Sequence, residues 1–407
     1  MGNLKFHRNY KFYLIITFVL TIFYLLSLNS VHSYNAMSEW VINYQGGFVR
    51  RGFIGEIFYT ISKAININLK FSFTIIQIVL YGLLYFYFYK LLLKLKYSRL
   101  VLFVIFSPVF LFFPLAELEA IGRKEILINL LMLSLFLLEF NEYKKLFFFF
   151  VISLVVLLTH EIIVFYFFNF LFFFIIIKKK NESKYNLICA SYFILLFLAT
   201  MFLSINEYTQ IDKEEMCNAL LKDFNIICGM QALAVVNDMS KYANEVSWNF
   251  EHYLRNLFIY IAGFGPLLIF TYFTKYNEEK CNNIILKIPL IFILFILSIF
   301  NLMIFLIAVD TGRYFHLSYS NLVILVFGLN YLNFIVIDYE KIKNFEKIIF
   351  KDSKFLLIFF LIIICFSWTP KAVYHEDLGS IPHYRTVQKI PNFINNFDNL
   401  KLINKNK

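Results

Sequence analysis

The sequence predicts an all-α, polytopic membrane protein, and two properties of the chain support this prediction. Of its 407 residues 60% are hydrophobic and 20% aromatic, whereas only 16% are charged. About a quarter of the residues of a soluble domain are charged. The apolar residues also form uninterrupted runs of roughly 20, the length at which a helix crosses a bilayer core. We therefore expect one integral membrane domain over residues 1–407, a transmembrane helical bundle with about eleven spans.

The predicted spans are separated by short charged connections. They cover residues 12–28, 71–93, 100–115, 126–138, 146–177, 185–203, 253–273, 288–309, 317–337 and 355–368. The block 146–177 is too long for one span at about 1.5 Å per residue, so we expect two short spans that meet at His160 and Glu161. In this order residues 204–252 form a moderate acidic loop on the extracytoplasmic side.

The net charge of +11 has a topological explanation. Lysine and arginine gather in the connections that this order places in the cytoplasm, which agrees with the positive-inside rule. No basic stripe interleaved with aromatic residues is available for a nucleic acid. The expected partner is the lipid bilayer, and binding to nucleic acid is excluded.

Two adjacent arginines follow a pair of glycines just after the first span. Gly46 and Gly47 allow a backbone to approach a ligand closely, and apolar residues from Phe53 onward recur at helical spacing. We expect a short interfacial helix to start near Arg51, where arginine and a helix N-terminus suit a phosphate. The alternative is that Arg50 and Arg51 only anchor to lipid headgroups.

Other polar residues gather at the predicted outer ends of the spans. Charge near membrane depth is costly and tends to line a cavity or pathway. His160 and Glu161 are candidates for a general base or its orienting partner, or for a mutually satisfied polar turn. Arg313 and Asp310 suit contacts to a phosphate or sugar, or a local ion pair. The remaining candidates are Glu119, Arg123 and Lys124, which otherwise cap the fourth span, and His316.

The sequence indicates neither a metal site nor a cofactor. His160 and Glu161 are followed by Ile162, Ile163 and Val164, so the zinc pattern H-E-x-x-H is absent. Cys217 and Cys228 lie together in the acidic loop and form a disulfide if that compartment is oxidising.

The chain resembles bacterial polysaccharide repeat-unit polymerases of the Wzy type, which act on O-antigen or capsule. The shared features are many spans, a Phe- and Leu-rich composition and outward arginines. Its layout is also similar to C-type membrane glycosyltransferases, in which the first outer loop carries an acidic catalytic residue. Glu39 or Glu56 is the matching position. The acidic loop 204–252 departs from the arginine-rich loops of the polymerases.

The resemblance implies a polyprenyl-(pyro)phosphate-linked glycan as substrate, the bacterial cytoplasmic membrane as location and an extracytoplasmic active face. Other polysaccharide-assembly proteins are then expected partners. The expected catalytic residues are Glu39, Glu56, His160 and Glu161. Phosphate is expected at Arg50, Arg51, Arg123, Lys124 and Arg313, and the rest of the substrate at Gly46, Gly47, Glu119, Asp310 and His316. The competing class is a transporter such as a lipid-linked oligosaccharide flippase, which should place ionisable residues at mid-membrane.

Overall fold

The computed structural model describes residues 2–28, 35–178, 183–205, 210–228, 250–281, 287–306, 310–351 and 353–371. Most of this part of the chain is helical, as the apolar runs predict. The helices in its first half are α1 (Gly2–Leu28), α2 (Asn35–Trp40), α3 (Phe53–Ala64), α4 (Leu69–Leu92), α5 (Arg99–Ile105), α6 (Phe113–Ala116), α7 (Ile126–Leu137), α8 (Glu142–Thr159) and α9 (Phe167–Ile177). Those in its second half are α10 (Ser183–Ile205), α11 (Gln210–Phe224), α12 (Phe250–Tyr272), α13 (Leu290–Leu302), α14 (Thr311–Tyr331), α15 (Tyr339–Phe350) and α16 (Lys354–Leu361).

Two short strands complete the fold. β1 (Thr274–Tyr276) pairs antiparallel with β2 (Ile335–Ile337) and joins the ends of α12 and α14. The fold is otherwise α-helical, as predicted.

Four helices in the described ranges are long and apolar enough to cross a membrane: Phe6–Leu28, Leu69–Leu92, Ser183–Leu203 and Glu251–Tyr272. Shorter apolar helices accompany them at Ile126–Leu137, Glu161–Ile177, Leu290–Phe305 and Lys354–Phe366. These are the helices of a membrane protein, while the number of spans stays a prediction.

The centre of the bundle is formed by α4, α7 and α14, which pack against one another. α14 is buried from Thr311 to Phe315 and again from Leu317 to Leu329, as expected of a helix enclosed on all sides. Asn321 in α14 accepts a 2.7 Å hydrogen bond from Asn169 in α9 and donates a 3.4 Å bond to Asn129 in α7. These amides fix the relative positions of α7, α9 and α14.

Two predicted boundaries were wrong. The third span, expected as one helix over 100–115, is broken: α5 ends at Ile105, and α6 starts only at Phe113. Pro108 and Pro114 explain this break, because proline lacks a backbone donor and restricts the residue before it. Residues 310–316 were expected as a connection, but Asp310 lies at the N-cap position of α14, without a side-chain capping bond, and the rest form the first turns of the helix.

Candidate functional site

The site is built on a turn at Gly122. Its φ of +72° lies in the left-handed region that favours glycine. The Gly122 carbonyl accepts hydrogen bonds from Trp40 Nε1 (2.6 Å) and Gln77 Nε2 (3.0 Å), and its N–H donates to the Tyr81 hydroxyl (3.2 Å). The turn is thus fixed against α2 and α4. It directs the next three side chains, Arg123, Lys124 and Glu125, into the protein, where all are buried.

Arg123 forms a buried ion pair with Glu39 of α2. Its Nη1 lies 2.6 Å from Glu39 Oε1, and each side chain is only 3% exposed. Arg123 also donates to the Glu119 carbonyl and lies 3.6 Å from the Glu119 carboxylate, which reaches the surface. Burial alone raises the pKa of the Glu39 carboxyl, but Arg123 and Arg313 outweigh that effect and hold it at about 2. Glu39 is therefore ionised at neutral pH.

Arg313, in the first turn of α14, connects three carboxylates. Its Nη2 lies 3.0 Å from Asp310, its Nε 3.3 Å from Glu125, and its Nη1 3.7 Å from Glu39. Nη2 also donates to the Tyr314 hydroxyl at 2.7 Å. Nε and Nη1 lie near carboxylates without forming a hydrogen bond. Two buried donors of Arg313 therefore have charged neighbours but no well-aligned acceptor.

A second arginine–carboxylate pair contacts Lys124 through the backbone carbonyl of Arg51. Arg51 binds Glu161 in a bidentate manner, with Nε and Nη2 donating at 2.6 to 3.0 Å, and Arg50 lies 3.9 Å away. Arg51 has a φ of +68°, which is uncommon for a residue with a side chain. Lys124 Nζ donates to the Arg51 carbonyl at 2.7 Å and holds this conformation.

The buried ammonium of Lys124 is easily deprotonated. Burial lowers its pKa to about 7, although the nearby Glu39 carboxylate opposes the shift. Lys124, Glu39 and Arg51 all lie outside the candidate membrane spans. Burial thus favours the neutral amine of Lys124, whereas the nearby carboxylates favour its charged form.

His160 lies between Glu125 and Glu161. Its Nε2 is 3.6 Å from Glu125 Oε1 and its Nδ1 is 4.0 Å from Glu161 Oε2. Burial and then Arg51 lower the pKa of His160 to about 4, so the ring is neutral at neutral pH. The break between α8 and the following 3-10 helix falls at His160, which confirms the predicted meeting of two apolar helices there.

These residues form one charged cluster. Its members are Glu39, Arg50, Arg51, Glu119, Arg123, Lys124, Glu125, His160, Glu161, Asp310 and Arg313. Five carboxylates balance five basic side chains. The N-terminal ends of α3, α7 and α14 lie beside the cluster, and helix N-termini carry partial positive charge. The carboxylates keep the cluster neutral, while its arginines and the adjacent helix N-termini offer hydrogen-bond donors to an anion.

A largely apolar cavity adjoins the cluster between α4 and α14. Its volume is about 40 Å³, which is room for roughly one or two water molecules, so helices would have to separate for a larger group to enter. Arg123, Glu125, Arg313 and His316 supply charged or polar groups to its wall, and tyrosine, leucine and phenylalanine side chains supply most of the rest. His316 stacks on Phe113 and contacts the Val109 carbonyl at 3.0 Å, so it lies in the cavity wall and outside the ion pairs.

Three predicted site residues lie elsewhere. Glu56 accepts hydrogen bonds from the Tyr44 backbone and the Gln45 side chain, both at 2.8 Å, and stabilises the loop before α3. Gly46 is needed for packing, since a Cβ there would collide with the Asp212 carbonyl in α11. Gly47 has a φ of +118° and serves a turn. Both glycines thus have a role in folding, and their approach to a ligand stays a prediction.

Tyr166, Tyr314 and Gln77 belong to the site but were not predicted. Tyr314 accepts from Arg313, and the buried Tyr166 hydroxyl forms no hydrogen bond. Both tyrosines lie in aromatic-rich helices, where a functional hydroxyl gives no distinct sequence signal. Gln77 is different, because it is the one amide in the long apolar run of α4 and could have been recognised.

The fold and the cluster define an α-helical membrane protein with a buried charged site. No family model, curated protein or solved structure matches the chain. The disulfide between Cys217 and Cys228 is present, as expected from their placement in the acidic segment.

Proposed function

We propose that the protein transfers or polymerises glycan units carried on a polyprenyl (pyro)phosphate, at the outer face of a bacterial cytoplasmic membrane. One observation carries the proposal: basic and acidic side chains from separate helices converge in a buried cluster beside an apolar cavity. A lipid-linked phosphate needs both environments, cations for the phosphate and apolar walls for the lipid.

Arg123 and Arg313 are the residues best suited to the phosphate. Both line the cavity, whereas Arg51 is held by Glu161. The Nε and Nη1 groups of Arg313 are donors without a hydrogen-bond acceptor, so phosphate oxygens would complete their coordination. Arginines placed in this way stabilise the negative charge that develops on a departing phosphate.

Glu125 is the best placed base. It lines the cavity, and both of its oxygens lack hydrogen-bond donors. In the proposed step the bond between the sugar and the phosphate oxygen breaks and a bond from the sugar to an acceptor hydroxyl forms. The phosphate leaves with the electron pair, and Glu125 takes the hydroxyl proton. Glu39, with its pKa of about 2, is a weaker base and would hold the arginines in place.

The depth of the cluster also favours a lipid-borne substrate. Gln77 and Tyr81, which bind the Gly122 turn, lie 8 and 12 residues inside α4 from Leu69. At 1.5 Å per residue this places the turn about 12 to 18 Å from the end of that candidate span. A substrate anchored in the bilayer reaches such a site more readily than a free sugar does. Because a lipid-linked oligosaccharide flippase also needs ionisable residues at this depth, the depth supports a lipid-borne substrate and does not separate transfer from flipping.

The test is genetic complementation in the source organism. A strain lacking the gene receives wild type, Glu125→Gln, Arg313→Lys or Glu346→Gln, and surface glycan and lipid-linked intermediates are analysed by gel and mass spectrometry. Glu346 is a matched control, because it is a buried carboxylate of α15 that accepts from the Leu100 backbone, as glutamine also would.

We expect Glu125→Gln and Arg313→Lys to leave lipid-linked donor unused on the outer face, while Glu346→Gln restores the glycan. A loss of polymer with single repeat units still attached would indicate polymerisation. Full restoration by both cluster variants contradicts the proposal. Accumulation of the donor on the cytoplasmic face would also contradict the proposal, because it would indicate that the protein is a flippase.

A further inference from the structure

Three buried side chains of the cluster direct metal-ligating atoms towards one point. Ligand atoms of Glu39, Glu125 and His160 all lie within 4.8 Å of one another. The side chains are 2%, 4% and 2% exposed. Two ligands of one ion at metal–ligand distances of about 2.0 to 2.2 Å lie at most about 4.4 Å apart, so the three side chains would move slightly closer together when an ion binds.

Four ligand atoms in this group form no hydrogen bond in the part of the chain that is described. They are Glu39 Oε2, both carboxylate oxygens of Glu125 and His160 Nε2. Buried polar atoms normally have a hydrogen-bond partner. The arginines contact Glu39 through Oε1, which leaves Oε2 as the oxygen for another cation.

We propose that Glu39, Glu125 and His160, with one ligand atom each, bind a divalent cation, Mn²⁺ or Zn²⁺, together with the diphosphate of the lipid donor. The second oxygen of Glu125 then remains the base. Two carboxylate oxygens and one imidazole nitrogen suit these ions, because carboxylates favour hard ions and imidazole favours later transition metals. The binding of the cation is inferred from the geometry alone, whereas the binding of the diphosphate rests on the proposed function.

Glu161 supports this role of His160. A metal-bound histidine usually donates its other ring N–H to a carboxylate, which fixes the ring orientation. Glu161 Oε2 lies 4.0 Å from Nδ1, so a small shift completes that bond once Nε2 faces the ion. The contact of the Ile162 N–H with Nδ1 is long, at 3.4 Å, and competes weakly.

Charge balance explains why metal and diphosphate bind together. Carboxylates outnumber the charged basic side chains of the cluster by at most one, when Lys124 is neutral, so a lone divalent ion adds uncompensated positive charge to a buried site. A diphosphate cancels this charge and can coordinate the ion directly. Each ligand therefore increases the affinity for the other, because such coupling is reciprocal.

The experiment is a Mn²⁺ titration of the full, detergent-solubilised chain, followed by electron paramagnetic resonance, with and without inorganic pyrophosphate. We expect one site in the wild type, with an affinity that increases at least about tenfold when pyrophosphate is present. Glu39→Gln, Glu125→Gln and His160→Asn should each lose the site, and Glu346→Gln should keep it.

A second measurement covers variants that fail to fold. Bound Mn²⁺ in the wild type should show nitrogen modulation from the His160 imidazole in its spin-echo spectrum. The assignment is overturned if the wild type binds no Mn²⁺ in either condition, if the three cluster variants bind as it does, or if the bound ion shows no nitrogen coupling. These outcomes leave the proposed function untouched, since no glycan and no turnover are involved.

Discussion

Breaking the pair between Arg51 and Glu161 should strongly destabilise the protein. Three contacts of 2.6 to 3.0 Å join the two side chains, which are 20% and 18% exposed. Arg51→Met leaves the Glu161 carboxylate buried without its bidentate partner. Removing one member of a buried pair costs about 3 to 5 kcal/mol, and the remaining exposure favours the lower end, about 3 kcal/mol.

A double-mutant cycle in mixed micelles measures this effect. The free energy of unfolding is obtained by SDS titration, followed by circular dichroism, for wild type, Arg51→Met, Glu161→Gln and the double variant. Because the double variant carries neither charge, its loss should be smaller than the sum of the single losses by about 2 kcal/mol. Lys63→Met is the control, since Lys63 pairs with Asp223 at an exposed position and little change is expected. Strictly additive losses would refute the paired, buried arrangement.

Two further predictions concern packing and pH. Gly46→Ala should destabilise the protein, because its Cβ would collide with the Asp212 backbone. Gly265→Ala is the control: apart from its own helix and chain neighbours, nothing lies within 4 Å of the added Cβ, and the gain in helix propensity is opposed by Pro266, which follows it, so little change is expected. Equal melting temperatures for the two variants would contradict the close approach of α11. The pKa of His160 is about 4, whereas its ordinary value is 6.5. The contribution of the neutral ring to the stability of the fold is therefore complete above pH 6.5 and is lost as the pH falls to 4. The free energy of unfolding should decrease by about 3 kcal/mol between pH 6.5 and pH 4. If the free energy of unfolding of the wild type depends on pH no more steeply than that of His160→Asn, the ring of His160 is not buried in its neutral form.

Local features of the chain could be predicted because they depend on local composition. The runs that became α1, α4, α10 and α12 are long and apolar, and such runs have few stable conformations other than a helix. The start of α3 near Arg51 follows from the spacing of its apolar residues. The break at His160 follows from the length of the block around it.

The assembly of the site depends on contacts that no local pattern encodes. Glu39 and Glu56 are equivalent in the sequence, yet α2 places Glu39 against Arg123 while Glu56 accepts hydrogen bonds from its own loop. The pairing of Arg51 with Glu161 joins positions 110 residues apart. The packing role of Gly46 depends on its contact with α11, which the sequence does not indicate.

A comparison of Glu39 with Glu56 shows whether the buried cluster is the reaction centre. Both are acidic residues of the segment after α1, and only Glu39 lies in the cluster. Glu39→Gln and Glu56→Gln are compared by complementation, with surface glycan measured per copy of membrane-inserted protein. We predict that Glu39→Gln lowers glycan output by about 100-fold, as expected when a charge that positions catalytic arginines is removed, and that Glu56→Gln retains near wild-type output. Normal output from Glu39→Gln together with loss in Glu56→Gln would contradict the account.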